Sequence, residues 1–348
     1  MRALRFPRPL EAEVIEVERP VIRGARELIV RVEACGICAS DVAAYKGLHP
    51  YRTPPVITGH ECAGTVVEVG DEVRQVRVGD RVAVEPHLGC GSCRYCRAGE
   101  YQQCVKKGLI GVGDWIGGFA EYIVVRDSMC YVIPDDVSWE IAALLEPYNV
   151  GVHAVRRAAV GEGESIGIVG TGTIGLATLL ALKPLSVGPV VVTDISAAKL
   201  EAARKLGADA AYNADEVEVR DEVLRDAPEG LDVVFVTVPK EEAIDLGLTL
   251  CTRRGKVILI ATLGRPVQID THKIQQFERT VIGTAMYNRT DWQMSLRHLQ
   301  SGDTCSSLQQ LISRRVSLDQ AVIRIDELAH GRDPDTIKTM ITEFRGER

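Results

Sequence analysis

The first 150 residues carry a hydrophobic pattern of short strands separated by glycine-containing turns. The Val- and Ile-rich segments are ELIVRVEAC, GTVVEVG, DRVAVEP and AEYIVV. β-Branched residues in short runs with closely spaced turn signals are typical of all-β structure. The pattern predicts a compact, β-rich barrel or sandwich in this part of the chain.

From about residue 151 the apolar runs alternate with helical segments. The predicted strands are SIGIVG, VVVTDIS, LDVVFVTV and KVILIAT, and the helical segments include TIGLATLLALK and AAKLEAARKLGA. Buried strands that alternate with helices indicate a parallel, doubly wound α/β sheet. We therefore expect a second domain over residues 151–289.

The tail after about residue 290 has a mixed and more helical pattern, with WQMSLRHLQSG and SLQQLISRR. We expect residues 290–348 to return to the first domain, so that the catalytic half comprises residues 1–150 and this tail. A chain of 348 residues is long enough for two such domains.

Composition narrows the class of partner. A formal net charge of −7 argues against nucleic acid or an anionic membrane as the main partner. The N-terminal segment lacks the apolar core of a signal peptide, and no run reaches the roughly 18 apolar residues that a membrane span needs. We expect a cytoplasmic protein, in which the ten cysteines are thiols or metal ligands rather than disulfides.

A glycine-rich turn follows the first predicted strand of the second domain. It has the pattern G-x-G-x-x-G, and its members include Gly170, Gly172, Thr173, Ile174 and Gly175. Glycines let the backbone approach a pyrophosphate, and the following helix N-terminus supplies amide donors. Because a strand leads in and a helix leads out, a dinucleotide site is favoured over an ordinary strand–turn–helix.

Asp194 ends the next predicted strand, about 20 residues after the turn. A carboxylate at this position accepts hydrogen bonds from ribose hydroxyls and repels a 2′-phosphate, which predicts NAD rather than NADP. Lys199 lies about one helical turn further along, where it either flanks the adenosine or is a solvated helix lysine.

Four closely spaced cysteines follow the predicted strand DRVAVEP: Cys90, Cys93, Cys96 and Cys104. Four thiolates at such spacing can close a tetrahedral zinc site that has no open position and stabilises a loop. An iron–sulfur cluster is the alternative, but nothing else in the chain indicates electron transfer. His87, just before this lobe, either lines the substrate pocket or is a solvated loop histidine, and we expect the latter.

Two further motifs point to a second metal. Cys38 and Ser40 follow the strand ELIVRVEAC, and His60 and Glu61 lie some twenty residues later in GHECAG. The segment fits G-H-E-x-x-G-x5-G-x-x-V at every fixed position. On these motifs, together with the cysteine lobe and the glycine-rich turn, the chain resembles the zinc-containing medium-chain alcohol dehydrogenases over essentially its whole length.

The resemblance implies a GroES-like catalytic domain joined to a Rossmann domain. It also implies that Cys38, His60 and Glu61 hold a catalytic zinc ion, with Glu61 a direct or exchanging ligand. The last ligand position falls on Glu146, as in sorbitol and threonine dehydrogenases, and Asp41 resembles the carboxylate that orients the ligand histidine. Two zinc ions per chain, one catalytic and one structural, are therefore expected.

The expected chemistry follows from an open zinc position, which lowers the pKa of a bound hydroxyl. Ser40 matches the family's serine or threonine that takes the hydroxyl proton. Many members carry a histidine five residues after the ligand cysteine, but this chain has Ala43 there. Either water, Glu61, Glu146 or His49 takes over the last step of proton release, or that step is slower.

We expect oxidation of a secondary alcohol on a polyol, cyclitol or similar polar substrate to a ketone, with hydride transfer to NAD. A threonine or amino-alcohol dehydrogenase is the alternative enzyme, because it shares the glutamate ligand. A non-catalytic NAD-binding protein is the alternative from another class, and the intact ligand set speaks against it. The family's members are commonly homodimers or homotetramers.

Overall fold

The computed structural model describes residues 1–262, 264–300 and 303–345. The chain forms two compact units, Met1–Glu146 with Ile312–Arg348 and Pro147–Leu311. The segment 290–311 thus belongs to the second unit. Within the described residues, no helix is long and apolar enough to cross a membrane.

The strands, numbered in chain order, are β1 Arg2–Arg5, β2 Glu13–Glu16, β3 Glu27–Ile37, β4 Glu61–Val69, β5 Arg81–Val84, β6 His87–Leu88, β7 Gly108–Leu109, β8 Tyr122–Arg126, β9 Cys130–Val132, β10 Ile166–Val169, β11 Val190–Asp194, β12 Ala210–Asn213, β13 Leu231–Val236, β14 Cys251–Leu259, β15 Thr280–Gly283, β16 Ile312–Ser317 and β17 Lys338–Glu343. The helices are α1 Ala39–Tyr45, α2 Arg94–Arg97, α3 Trp139–Ala158, α4 Thr173–Leu182, α5 Ala197–Lys205, α6 Val219–Asp226, α7 Glu241–Leu250, α8 Thr271–Gln275, α9 Arg289–Leu299, α10 Asp303–Gln309 and α11 Leu318–Ala329.

The first unit is built on a seven-stranded sheet with β3 near its centre. Its strand order is β16-β17-β3-β4-β5-β9, and β8 also pairs with β3. Alternate side chains of β3 point into one apolar core, because successive residues of a strand face opposite sides. These are Leu28, Val30 and Val32, which pack in a cluster with residues of β4, β5 and α11.

The register of β3 against its neighbours positions the candidate metal site. β3 and β4 are antiparallel, with Gly36 opposite Glu61. Cys38 directly follows β3 and His60 directly precedes β4. The two residues therefore lie side by side where these neighbouring strands end. β17 runs antiparallel along the other side of β3, with Thr339 opposite Ile37.

One expectation for the tail is wrong. SLQQLISRR was expected to be helical, but α10 ends at Gln309 and β16 runs over Ile312–Ser317. β16 pairs with β17 in parallel at the end of the sheet. The β-branched Val316 is buried there while Arg314 and Arg315 remain exposed, so sheet pairing overrides the helical pattern.

The second unit contains a six-stranded parallel sheet in the order β12-β11-β10-β13-β14-β15. This is the order of the doubly wound dinucleotide-binding fold, with β10 as its first strand. Its central strands β10 and β13 are almost continuous apolar runs, as in sheets covered on both faces. The predicted fold class, a GroES-like β-rich unit plus a Rossmann unit, is confirmed.

A buried arginine holds the returning tail together. Arg324 on α11 is 2% exposed. Its guanidinium donates to Thr339 at 3.1 Å, to Glu327 at 2.9 Å and to Asp333 at 2.8 Å. This cation links α11 to β17 and to the loop between them.

Replacing Arg324 with Met should lower the free energy of unfolding by about 3 kcal/mol, because it leaves hydrogen-bonded carboxylates without their cation. The same substitution at Arg315, whose ion pair with Glu140 lies at the surface, should cost less than about 1 kcal/mol. Urea unfolding of both variants measures the difference. Equal losses would show that the Arg324 network does not stabilise the tail.

Candidate active site

Cys38, His60 and Glu61 form a cluster of metal-type donors in the first unit. One sulfur, one imidazole nitrogen and one carboxylate oxygen of these residues lie within 4.8 Å of one another. Cys38 caps the N-terminus of α1, and its Sγ accepts from the Ser40 amide at 3.5 Å. A thiolate, an imidazole and a carboxylate are the donor set of catalytic zinc sites, which keep one position open. The residues present therefore fit a zinc ion.

Asp41 contacts two of these residues, Cys38 and His60. This fully buried carboxylate lies 3.4 Å from Nδ1 of His60 and accepts from the Cys38 amide at 2.9 Å. Thr58 donates its hydroxyl to the same carboxylate at 2.6 Å. Burial alone would raise the pKa of Asp41, but His60, Arg52 and Thr58 hold it well below its usual range. Asp41 thus stays charged and orients the His60 ring.

The pKa of His60 responds to the same charges. Burial lowers it and the Arg52 charge adds to that effect, yet Asp41 and Cys38 outweigh both and raise the pKa well above its ordinary value. The negative charge around His60 favours a bound proton or a metal ion on its ring. Because a ligand histidine must be neutral, a proton and a metal ion compete for this residue.

Glu61 is held by a lysine that the sequence did not single out. Lys338, at the start of β17, places Nζ 2.7 and 2.6 Å from the two carboxylate oxygens of Glu61. It also donates to the Ile37 carbonyl oxygen at 3.2 Å, and both charged residues are at most 3% exposed. A Cβ on the neighbouring Gly36 would overlap the Glu61 carboxylate. The position of Glu61 is therefore fixed by three strands.

Glu146, near the middle of α3, is 8% exposed. The group within 4.8 Å does not extend to Glu146 among the described residues. Burial lowers the pKa of Lys338, but the charges of Glu61, Cys38 and Glu146 raise it overall. Glu146 thus contributes to the charge around the cluster, and its role as a ligand stays a prediction.

Ser40, the predicted acceptor of the hydroxyl proton, contacts an arginine. Its Oγ accepts a hydrogen bond from Nη1 of Arg52 at 3.0 Å. His49 instead accepts at Nδ1 from the Arg52 amide at 3.1 Å, and no described hydrogen bond joins it to Ser40. Burial, followed by the Arg52 charge, lowers the pKa of His49 to about 4. Arg52 therefore occupies the surroundings of Ser40, where sequence reasoning considered only histidine, glutamate or water.

The four cysteines of the lobe also come together. One ligand atom from each of Cys90, Cys93, Cys96 and Cys104 lies within 4.8 Å of the others. Sulfurs around a tetrahedral zinc ion are about 3.8 Å apart, and Cys90 and Cys96 are separated by 4.0 Å. The Cys96 amide donates to Cys93 Sγ at 3.5 Å, and hydrogen bonds with Ser92 lower the pKa of Cys90 to about 5. The lobe fits a closed zinc site.

His87, beside this lobe, is not the solvated loop histidine that we expected. It is buried on β6, and its Nε2 lies 3.1 Å from the buried carboxylate of Glu85. The hydroxyls of Tyr101 and Tyr131 also donate to Glu85, at 2.8 and 2.7 Å. The polar environment is supplied by residues distant in sequence, which a local pattern does not reveal.

The glycine-rich turn lies between β10 and α4 in the second unit. A Cβ on Gly175 would overlap the carbonyl oxygen of Gly170, so close backbone approach requires glycine there. Gly172 caps α4, and a Cβ there would meet no atom within 4 Å. This open space at a helix N-terminus fits a dinucleotide phosphate. Thr173 and Ile174 form the first turn of α4.

Asp194, at the end of β11, is tied to that turn. Its carboxylate accepts from the Thr171 amide at 2.6 Å and from the Ile195 amide at 2.8 Å. Lys199 lies in the first turn of α5 and is half-buried, and its amide donates to Ser196 Oγ at 3.2 Å. The roles of Asp194 and Lys199 in NAD binding stay predictions.

Comparisons with known proteins agree with this arrangement. Residues 24–135 match the alcohol dehydrogenase GroES-like domain, and residues 173–301 match the zinc-binding dehydrogenase domain. The chain is 36% identical to a sorbitol dehydrogenase from Bacillus subtilis, with 84% of each chain covered. It is 32% identical to an L-idonate 5-dehydrogenase from Vitis vinifera, with 91% of this chain and 88% of the relative covered.

A solved structure is similar as well. Galactitol-1-phosphate dehydrogenase from Escherichia coli superimposes with a TM-score of 0.90 at 30% identity, covering 98% of this chain and all of that one. The matched domains, the cysteine lobe and the Cys38–His60–Glu61 cluster all indicate the same family. The chain belongs to the zinc-containing medium-chain alcohol dehydrogenase family, in its sorbitol dehydrogenase-like branch.

Proposed function

We propose that the protein oxidises a secondary alcohol on a polyol, cyclitol or similar polar substrate to a ketone, with NAD as the hydride acceptor. The cluster of Cys38, His60 and Glu61 carries this proposal, because its donors are those of a catalytic zinc site. Relatives named as sorbitol and L-idonate dehydrogenases support the substrate class. Glu146 occupies the last ligand position of the family, where sorbitol dehydrogenases also have glutamate, and this supports the same substrate class.

The reaction converts the alcohol and NAD⁺ into a ketone, NADH and a proton. Cys38, His60 and a glutamate would hold the zinc ion, which would supply a Lewis acid to lower the pKa of the substrate hydroxyl, and NAD would accept the hydride from the carbinol carbon. Ser40 accepts the hydroxyl proton at Oγ and gives up its own hydroxyl proton in exchange, which is the proton that the reaction releases. Asp41 keeps the His60 ring in place, and Lys338 holds the Glu61 carboxylate.

The proposed cofactor set is NAD and two zinc ions per chain, one catalytic and one in the Cys90–Cys104 lobe. The turn of Gly170, Gly172, Thr173, Ile174 and Gly175 would bind the pyrophosphate, with Asp194 on the ribose and Lys199 beside the adenosine. We also propose a cytoplasmic homodimer or homotetramer. None of the ten cysteines, all of which lie in the described residues, forms a disulfide, and this supports a reducing compartment.

Replacing Cys38 with Ser should lower kcat/KM by about a thousandfold or more, because the thiolate ligand is lost. Zinc content should fall from about two ions per chain to about one, while the Kd for NAD stays within about twofold of the wild-type value. Steady-state kinetics, elemental analysis and nucleotide fluorescence measure the three quantities.

Cys35→Ala provides the matched control, since Cys35 lies on the same segment, is buried and is not in the donor group. It should keep both zinc ions and most of the turnover. Full activity of Cys38→Ser with one zinc ion per chain would refute the proposed mechanism.

Replacing Asp194 with Ser should raise the ratio of kcat/KM for NADP over NAD by about tenfold or more, since the carboxylate no longer repels a 2′-phosphate. Asp194→Asn tests charge separately, because it retains one acceptor oxygen for the Thr171 or Ile195 amide. We expect Asn to raise the ratio too. An unchanged ratio in both variants would mean that Asp194 does not set cofactor preference.

A further inference from the structure

Arg52 is a buried cation beside the candidate catalytic serine. It lies in the loop between α1 and β4 and is 4% exposed. Its Nη1 donates to Ser40 Oγ at 3.0 Å. Its Nε is buried and has no hydrogen-bond partner among the described residues. Its Nη2 likewise donates to none of the residues that the structure describes.

No described carboxylate lies within 4.0 Å of the Arg52 guanidinium. The charge of Arg52 helps to lower the pKa of Asp41, but the Asp41 carboxylate already accepts hydrogen bonds from other groups. Its Oδ2 accepts from the Cys38 amide at 2.9 Å. Its Oδ1 accepts from Thr58 at 2.6 Å and from the Gly59 amide at 3.3 Å. Asp41 therefore does not serve as the direct partner of Arg52.

The other groups near Arg52 do not neutralise it either. His49 and His60 carry no negative charge in any protonation state, and the Arg52 charge lowers the pKa of both. Buried arginines ordinarily form ion pairs, because an unpaired guanidinium loses its hydration without compensation. Arg52 thus has a free Nε–Nη2 edge of the kind that binds carboxylates and phosphates through two parallel hydrogen bonds.

We propose that Arg52 binds an oxyanion on the substrate, so that the preferred substrates are acidic or phosphorylated polyols rather than neutral ones. The inference rests on the proposed function, in which Ser40 contacts the reacting hydroxyl. Because Nη1 of Arg52 donates to Ser40, the oxyanion lies within a few bonds of the carbon that is oxidised. A carboxylate and a phosphate ester share this chemistry, and a matched substrate series distinguishes them.

The test compares D-sorbitol, D-gluconate and D-sorbitol 6-phosphate as substrates of the zinc-loaded, full-length protein with NAD. In the wild type, kcat/KM for one of the two anionic substrates should exceed that for D-sorbitol by about tenfold or more. In Arg52→Met this ratio should fall by about 10- to 100-fold, even if the lost contact to Ser40 lowers turnover of every substrate. Arg52→Lys keeps the positive charge but cannot donate two parallel hydrogen bonds, so it should retain an intermediate ratio.

Arg8→Met is the matched control, since Arg8 is exposed and paired with Glu11, and it should leave the ratio unchanged. Thermal melting and the Kd for NAD are measured on each variant. A wild type that oxidises D-sorbitol best overturns the inference and leaves the proposed function standing. A ratio unchanged in Arg52→Met, with or without weaker NAD binding, also overturns it. A wild type that oxidises no alcohol with NAD refutes the proposed function itself.

Discussion

The balance of buried charge at the end of β3 is the constraint on which the site depends. The thiol of Cys38 and the carboxyl groups of Glu61, Glu146 and Asp41 lie at or near the end of this strand, together with the cations Lys338 and Arg52. Lys338 compensates Glu61 directly, and Asp41 is compensated by His60, Thr58 and backbone amides. The donors of Cys38 and His60 remain available to a divalent cation, which would supply the missing positive charge.

This balance is possible because three strands meet in a fixed register. β3 and β4 bring Cys38 and His60 together across a long stretch of chain, and β17 adds Lys338 from the C-terminal tail. Gly36 leaves the space that the Glu61 carboxylate occupies. The returning segment from Ile312 onwards is thus part of the unit that carries the site, and Arg324 within it links α11 to β17, the strand that carries Lys338.

Local patterns predicted the fold class, the glycine-rich turn and both cysteine-containing motifs, because each depends on residues close in sequence. They did not reveal Lys338 or Arg52, whose importance comes from contacts across the sheet and around a loop. The β16 strand was missed for the same reason, since pairing with β17 overrides a helical pattern. His87 was misjudged because Glu85, Tyr101 and Tyr131 surround it only in the folded chain. Long-range pairing is what a single sequence conceals.

The central claim is that Cys38 and His60 hold a metal ion separate from the one in the cysteine lobe. Anomalous diffraction at the zinc edge from crystals of the full-length protein tests it most directly. The account predicts two peaks per chain, one among the four lobe sulfurs and one bonded to Cys38 and His60 at about 2.0 to 2.3 Å. A peak in the lobe alone, from protein saturated with zinc, would contradict it.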